Sequence, residues 1–214
     1  MGPKRRENVE LCIDEAPRCR ATVALAHGAG APMDSEFLEE LTAGLVAQQL
    51  RVVRFEFPYM AERRTTGRKK PPNREPVLCE TWLRVIEQLE AARYKKIVIG
   101  GKSMGGRIAS LVADEAQVAG LVCLGYPFHP TGRPEKLRTA HLESLRTPTL
   151  ILQGERDPFG NRQEVGGYHL SSAVRVHWLA DGDHSFKPRK SSGRTQEQNI
   201  AEAVEATASF VESL

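Results

Sequence analysis

Short apolar runs rich in β-branched residues alternate along the chain with longer segments whose apolar side chains recur at helical spacing. The short runs predict seven β-strands, at residues 9–13, 21–26, 52–57, 96–100, 120–124, 149–153 and 174–179. The longer segments predict helices at residues 35–48, 77–93, 104–115 and 196–211, with a short helix near 141–146. This alternation predicts an α/β fold, with a mostly parallel, doubly wound sheet of about seven strands and helices on both of its faces.

The length of the chain, 214 residues, suits one domain with a substantial core, and we expect a single domain over residues 1–214. Between the strands predicted at 120–124 and 149–153, the chain is too short to form a folded lid domain. We therefore expect a site above the sheet to be open to solvent.

Composition and charge argue against several classes of function. The net charge is +3, from 30 basic and 27 acidic residues, so no overall charge would attract nucleic acid. The four cysteines lack the spacing of a zinc site or a Cys-x-x-Cys pair, which favours a reducing compartment and a cytoplasmic location. The basic N-terminus is followed by glutamates instead of an apolar signal region, and no segment has the roughly 18 apolar residues that span a bilayer.

The segment 101–105, Gly-Lys-Ser-Met-Gly, lies between a predicted strand and a predicted helix and matches the nucleophile elbow Gly-x-Ser-x-Gly. In such a turn the serine adopts a strained backbone conformation that holds its hydroxyl at the sheet edge, and side chains two residues before or after it would collide. A phosphate-binding loop would also end in Gly-Lys-Ser, but it needs glycine where this chain has Lys96. We therefore interpret Ser103 as a nucleophile.

Three residues suited to hydrolytic chemistry, Ser103, Asp157 and His184, each follow a different predicted strand. Because the carboxyl ends of parallel strands share one edge of a sheet, we expect these residues to meet there. Histidine can remove the serine proton near neutral pH, and the aspartate fixes the imidazole tautomer. The alternative for Asp157 is an ordinary Asp-Pro turn. Asp181 and Asp183 lie too close to His184 in sequence to orient its ring from behind.

The glycine-rich segment 27–31, His-Gly-Ala-Gly-Ala, follows the second predicted strand. Acyl transfer needs two N–H donors aimed at the developing oxyanion. We predict that the backbone N–H groups of Met104, directly after the serine, and of Ala29, in the glycine-rich turn, supply them. His27 is interpreted as a structural residue that braces this turn. The alternative is a tight turn that needs only the conformational freedom of glycine.

Six segments together resemble the small, lidless α/β-hydrolases related to dienelactone hydrolase: residues 27–31, 54–59, 100–107, 124–130, 154–160 and 183–185. The similarity covers nearly the whole chain and looks closest to the branch that contains testis-expressed protein 30 and the third subunit of the non-specific-lethal chromatin complex. The resemblance implies the α/β-hydrolase fold and the triad Ser103, Asp157 and His184. Dienelactone hydrolases proper use a cysteine nucleophile, so the serine departs from their pattern and weakens the case for lactone ring opening.

Basic residues are concentrated in loops that should open on the same edge as the triad. They are Arg63, Arg64, Arg68, Lys69, Lys70, Arg74, Arg133, Arg162, Lys187, Arg189, Lys190 and Arg194. We hypothesise that they form a positively charged entrance that attracts anionic esters or thioesters; the alternative is a set of solvated loops. Four aromatic residues after strands are predicted to wall the acyl pocket, although ordinary packing would also explain them: Phe57, Tyr59, Tyr126 and Phe128.

Together these features predict a cytoplasmic serine hydrolase that cleaves small-molecule carboxylic esters or thioesters through an acyl-enzyme, with no metal or organic cofactor. The alternative is a hydrolase-fold interaction module in which the basic loops dock a partner and the triad is vestigial. An intact serine, aspartate and histidine argue against that alternative. Nucleic-acid binding is weaker still, because the basic loop lacks interleaved aromatic residues. No membrane partner is predicted, and the sequence does not indicate an oligomeric state.

Overall fold

The computed structural model describes residues 8–214, and a seven-stranded sheet lies at its centre. The strands are β1 (Leu11–Asp14), β2 (Thr22–Ala26), β3 (Arg51–Phe55), β4 (Ile97–Lys102), β5 (Gly120–Leu124), β6 (Thr149–Gly154) and β7 (Val174–Leu179). Their order in the sheet is β1-β3-β2-β4-β5-β6-β7. Strand β1 pairs antiparallel with β3, whereas the other neighbours pair in parallel. The predicted α/β class and the mostly parallel sheet are confirmed.

Six α-helices and two 3₁₀ turns accompany these strands in the described residues, and α6 and one of the 3₁₀ turns follow the last strand. The helices are α1 (Glu36–Ala47), α2 (Pro58–Thr66), α3 (Glu75–Ala91), α4 (Met104–Val112), α5 (Arg162–Val165) and α6 (Gln196–Ser213). Helices α1, α3, α4 and α6 confirm four predictions to within a few residues. The helix predicted near 141–146 is a 3₁₀ turn, Ala140–Glu143, because Pro148 follows too soon for a regular helix to develop there.

Helix α2 was not predicted, and its second half falls in a stretch, from residue 63 onwards, for which the sequence suggested a basic loop. Its first residue is Pro58, which suits the first turn of a helix, and Gly67, whose φ is 68°, caps its carboxyl end. Its buried residues are Tyr59 and Met60, both in the first turn. The remaining residues of α2 are mostly polar, so the segment carries no apolar periodicity from which a helix could be predicted.

The sheet is covered on both faces, as predicted. Alternate residues of β2 belong to different cores: Val23 and Leu25 pack with α1 and α6, whereas Ala24 and Ala26 pack with α3 and α4. Because both faces are covered, the central strands are continuous apolar runs instead of alternating patterns. Each fully buried leucine or valine contributes about 1.5–3 kcal/mol to folding, so these two layers hold the sheet edge in place.

Loops after β2, β4, β6 and β7 all leave the carboxyl edge of the sheet, and they carry the residues singled out in the sequence. Between β5 and β6, residues 125–148 contain one 3₁₀ turn and no folded lid. The edge near the candidate residues is therefore open, as expected. The basic N-terminal stretch, on which the expectation about a signal sequence depends, lies outside the described residues.

Candidate active site

Ser103 occupies a sharp turn between β4 and α4. Its backbone φ of 51° and ψ of −115° lie in a region that non-glycine residues rarely adopt, at a cost of about 1–3 kcal/mol. The flanking glycines permit this turn because both pass close to β2. A Cβ on Gly101 would lie 2.2 Å from the carbonyl oxygen of Ala26, and one on Gly105 would lie 2.6 Å from the same atom. The collisions expected from the motif therefore involve the neighbouring strand.

The structure brings Ser103, His184 and Asp157 into one chain of hydrogen bonds. The Nε2 atom of His184 lies 2.8 Å from the Oγ atom of Ser103. The Nδ1 atom of the same ring lies 2.8 Å from Oδ2 of Asp157. An ionised carboxylate only accepts hydrogen bonds, so Nδ1 carries the ring proton and Nε2 is free to accept the serine proton. This is the arrangement that a general base needs.

Asp157 is fully buried, and other donors hold its carboxylate towards His184. The side-chain amide of Gln153 donates to Oδ2 at 3.0 Å, and the backbone N–H of Phe159 donates to Oδ1 at 2.9 Å. The Phe159 ring also packs on the imidazole, with ring centroids 4.4 Å apart. Asp157 therefore forms the local turn proposed as the alternative interpretation and faces His184 with its other oxygen.

The glycine-rich turn after β2 lies across from the serine. A cavity of about 300 Å³ is lined by this turn (residues 28–31), Phe37, Lys102, Ser103 and His184, together with two serines. A Cβ placed on Gly28 would lie 3.8 Å from the Cβ of Ser103, so the turn passes directly over the serine. Of the two predicted oxyanion donors, Ala29 lines this cavity, and Met104 directly follows Ser103 as the first residue of α4.

His27 is buried and braces this turn, as expected. Its Nε2 accepts a hydrogen bond from the backbone N–H of Phe57 at 3.1 Å. The ring proton must therefore sit on Nδ1, which donates to the carbonyl oxygen of Gly28 at 2.7 Å. Burial lowers the pKa of His27, which keeps the ring neutral and this hydrogen-bond pattern intact. The hydroxyl of Tyr59 donates to the carbonyl of Ala29 at 2.9 Å and fixes the next peptide.

The predicted aromatic wall is not found at the cavity. Tyr59, Tyr126 and Phe128 are 3%, 0% and 0% exposed, and they belong to the core on the α3 and α4 face, as does Phe57. The chain turns inward after β3 and β5, so these rings pack below the edge instead of above it. Phe37, from α1, is the aromatic residue that lines the cavity. Sequence reasoning missed Phe37, because its helical spacing indicated only a core position.

Lys102 was also missed, although it occupies the second position of the elbow motif. Its Nζ donates to the backbone carbonyl of His184 at 2.6 Å, and its side chain lines the cavity beside Ser103. Burial lowers the pKa of Lys102 to about 8, and the carboxylates of Asp157 and Asp183 act in the opposite direction. The signal that could have revealed it was a charged residue at the end of an otherwise apolar strand.

The basic loops carry less free positive charge at the cavity than the sequence predicts. Five of their side chains pair with carboxylates: Arg64 with Asp34 and Glu56, Lys70 with Glu62, Arg162 with Glu155, Arg189 with Asp181, and Arg194 with Glu202. None of the predicted entrance residues is among the side chains that line the cavity in the described part of the chain. Pairing between loops cannot be deduced from the sequence alone.

The chain matches the alpha/beta hydrolase domain family over residues 19–212 and belongs to that family. Its fold is similar to that of an alpha-beta serine hydrolase homologue from Coxiella burnetii, with a TM-score of 0.72 and 21% identity over 96% of this chain and 91% of that one. A dienelactone hydrolase from Anabaena variabilis is similar in fold, with a TM-score of 0.74 and 18% sequence identity over 96% of this chain and 91% of that one. A serine hydrolase without a lid from Xanthomonas campestris has a TM-score of 0.67 and 17% sequence identity, over 93% of this chain and 89% of that one.

Membrane-spanning helices, metal-binding groups and cysteines were also considered for the described residues. Within residues 8–214, no helix is long and apolar enough to cross a membrane. The same range holds no group of three or more histidine, cysteine, aspartate or glutamate side chains placed to bind a metal ion. The four cysteines are free thiols: Cys12, Cys19, Cys79 and Cys123.

Proposed function

We propose that this protein is a serine hydrolase that cleaves carboxylic esters or thioesters through an acyl-enzyme. The observation that carries the proposal is the continuous hydrogen-bond chain from Ser103 through His184 to Asp157, with both contacts at 2.8 Å. Each residue lies after a different strand, and 81 residues separate the serine from the histidine. At the open edge of an α/β-hydrolase sheet, this arrangement allows His184 to activate the Ser103 hydroxyl as a nucleophile while Asp157 orients the imidazole.

In the acylation step, Oγ of Ser103 attacks the carbonyl carbon of the ester, and its proton passes to Nε2 of His184. The negative charge on Asp157 stabilises the imidazolium that forms. The carbonyl oxygen becomes an oxyanion, which accepts hydrogen bonds from the backbone N–H groups of Ala29 and Met104. When the tetrahedral intermediate collapses, the bond to the leaving group breaks, and His184 returns the proton to the departing alcohol or thiol.

Deacylation repeats these steps with water as the nucleophile. His184 takes a proton from water, the hydroxide attacks the acyl carbon, and the same two N–H groups bind the oxyanion. Collapse releases the carboxylic acid, and the proton on His184 returns to Oγ of Ser103. All the residues involved end the cycle as they began it, so the proposal needs no metal or organic cofactor.

The oxyanion assignment draws support from how the backbone is held. Met104 begins α4, where the first N–H groups of a helix have no partner within the helix and face an anion favourably. The carbonyls of Gly28 and Ala29 are fixed by His27 and Tyr59. Donors fixed before the reaction need no reorganisation as the charge develops, which is the source of their catalytic effect.

A fluorophosphonate probe, which labels activated serines covalently, tests the proposal. We expect labelling of the wild-type protein and none of Ser103→Ala, since that change removes the nucleophilic oxygen. Hydrolysis of 4-nitrophenyl and coenzyme A esters of varied chain length should fall by about 10⁴-fold or more in the same variant. Folded wild-type protein that resists the probe and cleaves none of these esters would favour an interaction module with a vestigial triad.

We further propose that the enzyme acts as a single domain on small molecules in the cytosol. Four free thiols suit a reducing compartment. We also propose that it belongs to the branch that contains testis-expressed protein 30 and the third subunit of the non-specific-lethal complex, which the six sequence segments that carry the resemblance support. A tagged copy that accumulates in a secreted or membrane fraction would contradict the location.

A further inference from the structure

Lys102 links the two segments that carry the proposed nucleophile and base. It is the last residue of β4 and directly precedes Ser103. Its side chain reaches the loop after β7, where Nζ donates a hydrogen bond of 2.6 Å to the backbone carbonyl of His184. The strand that leads to the serine is therefore joined directly to the peptide of the histidine, 82 positions further along the chain.

The bond from Lys102 is the one hydrogen bond that the backbone of His184 forms within residues 8–214. Other parts of this loop are held by α6, because the side-chain amide of Asn199 donates to the carbonyls of Ala180 and Phe186 at 3.2 and 2.7 Å. Those contacts do not reach the peptide of His184 itself. Lys102 is thus the direct link between the His184 backbone and β4.

Gly125, the first residue after β5, leaves the space in which this link forms. A Cβ on Gly125 would lie 2.9 Å from Nζ of Lys102, 3.0 Å from the carbonyl oxygen of His184 and 3.2 Å from Nδ1 of its ring. The φ of Gly125 is 66°, a conformation that favours glycine. The ammonium therefore lies against the backbone of His184, near the ring nitrogen that faces Asp157.

This hydrogen bond carries a cost in folding free energy. Burial lowers the pKa of Lys102 to about 8, so the ammonium is still mainly protonated at neutral pH. It forms no ion pair with a carboxylate among the described residues, and the rings of Phe37 and Phe186, 5.5 and 6.0 Å from Nζ, replace only part of its hydration. A charged donor makes a stronger hydrogen bond than a neutral one. A strong bond obtained at such a cost is typical of a residue that serves an active site more than the stability of the fold.

We propose that Lys102 is a positioning residue that holds the imidazole of His184 in line between Ser103 and Asp157. The inference rests on the proposed function, because it concerns the contacts through which His184 takes and returns the serine proton. Both contacts are 2.8 Å long, and a displacement of about 1 Å at a reacting group can cost about a hundredfold in rate. By joining the histidine peptide to the residue before the serine, Lys102 keeps the base and the nucleophile at a fixed separation.

Lys102→Met tests the inference, because methionine removes the ammonium and keeps an unbranched side chain. We expect kcat for a neutral 4-nitrophenyl ester to fall by about ten- to a hundredfold. KM should stay close to that of wild type, since the lost bond is made to the histidine peptide. The urea midpoint should stay level or rise, because the cost of burying the ammonium disappears with the bond. A residue that only stabilised the fold would show the opposite pattern, a lower urea midpoint with unchanged kcat.

Lys96→Met is the matched control. Lys96 directly precedes β4, and its Nζ also donates to a backbone carbonyl, that of Val211 in α6 at 3.4 Å. This bond lies at the amino end of β4, at the opposite edge of the sheet from the triad, so the variant should leave kcat unchanged. Lys102→Gln keeps an N–H donor that ends one bond short of Nζ. It should also lower kcat, by a smaller factor, and it provides the test if Lys102→Met does not fold.

Hydrogen–deuterium exchange followed by mass spectrometry reports on the loop without using activity. Peptides that cover residues 180–187 should exchange faster in Lys102→Met than in wild type, because the link to β4 is lost. Peptides from β4 and α4 should exchange at wild-type rates. Lys96→Met should match wild type in residues 180–187.

Three results would overturn the inference. They are a kcat equal to that of wild type in the folded Lys102 variants, an equal fall of kcat in Lys96→Met, and unchanged exchange of residues 180–187 in Lys102→Met. Failure of the hydrolase proposal looks different, because the wild-type protein itself would then resist the fluorophosphonate probe and cleave none of the esters. In that case the exchange experiment still decides whether Lys102 holds the His184 loop.

Discussion

Replacing Asp157 with asparagine probes the candidate triad most directly, because donors surround this carboxylate. Oδ2 lies 2.8 Å from Nδ1 of His184 and 3.0 Å from the amide nitrogen of Gln153. Oδ1 accepts the backbone N–H of Phe159 at 2.9 Å. Asparagine has one oxygen and one NH₂ group. Either orientation of the new side chain therefore places an NH₂ group against a donor.

Each orientation has its own consequence for His184. With the NH₂ group at the Oδ2 position, Nδ1 must become the acceptor. The ring proton then moves to Nε2, and no base faces the hydroxyl of Ser103. With the NH₂ group towards Phe159, the ring keeps its tautomer but the imidazolium loses its counter-charge. We expect kcat to fall by about 10⁴-fold, and the free energy of unfolding to fall by about 1–3 kcal/mol because a buried donor is left without an acceptor.

Steady-state hydrolysis of a neutral 4-nitrophenyl ester and urea denaturation measure the two effects separately. Asp114→Asn is the matched control, because the Asp114 carboxylate accepts hydrogen bonds from the backbone N–H groups of Arg146 and Thr147, away from the cavity. It should lower stability while leaving kcat unchanged. If kcat of Asp157→Asn stays within about tenfold of wild type, Asp157 is not the residue that orients His184.

Two further predictions concern the backbone around the site. Gly101→Ala should reduce the free energy of unfolding by more than about 4 kcal/mol or prevent folding, because the new Cβ would lie 2.2 Å from the carbonyl oxygen of Ala26, at a φ of 147°. Gly30→Ala is the control, since a Cβ at Gly30 would have no atom within 4 Å. Equal urea midpoints for the two variants would refute the reasoning. Burial lowers the pKa of His27 below its ordinary 6.5, so the unfolded chain binds a proton that the folded state excludes. Stability should therefore fall as the pH drops below about 6.5, and His27→Asn should show a shallower decline in urea titrations between pH 7.5 and 5; parallel declines would contradict the assignment.

The positions of Ser103, Asp157 and His184 could be predicted because each depends on a local pattern. An apolar run marks a strand, its carboxyl end marks the edge, and parallel pairing brings the ends together. The elbow adds a steric requirement for small residues on both sides of the serine, and the sequence shows it as two glycines. His27 could be interpreted for the same reason, since a turn over the nucleophile needs a brace on its inner side.

The lining of the cavity could not be predicted, because it depends on contacts between distant segments. Tyr126 and Phe128 follow a strand as a pocket residue would, yet the chain turns down after β5 and packs them in the core. Phe37 reaches the cavity from a helix on the other face. From the sequence, Arg64 is predicted to carry an unpaired positive charge, whereas in the fold it forms ion pairs with Asp34 and Glu56.

The energetic character of the site favours a catalyst over a docking module. Ser103 holds a strained backbone conformation, Asp157 carries a fully buried carboxylate, and the ammonium of Lys102 donates to a backbone carbonyl instead of a carboxylate. Each of these features costs folding free energy, and none adds apolar burial in return. A surface that only docks a partner gains nothing from a strained serine or from a buried carboxylate behind a histidine. These costs have a use if a reacting group enters the cavity, where the strained turn presents the Ser103 hydroxyl and the buried Asp157 carboxylate orients His184.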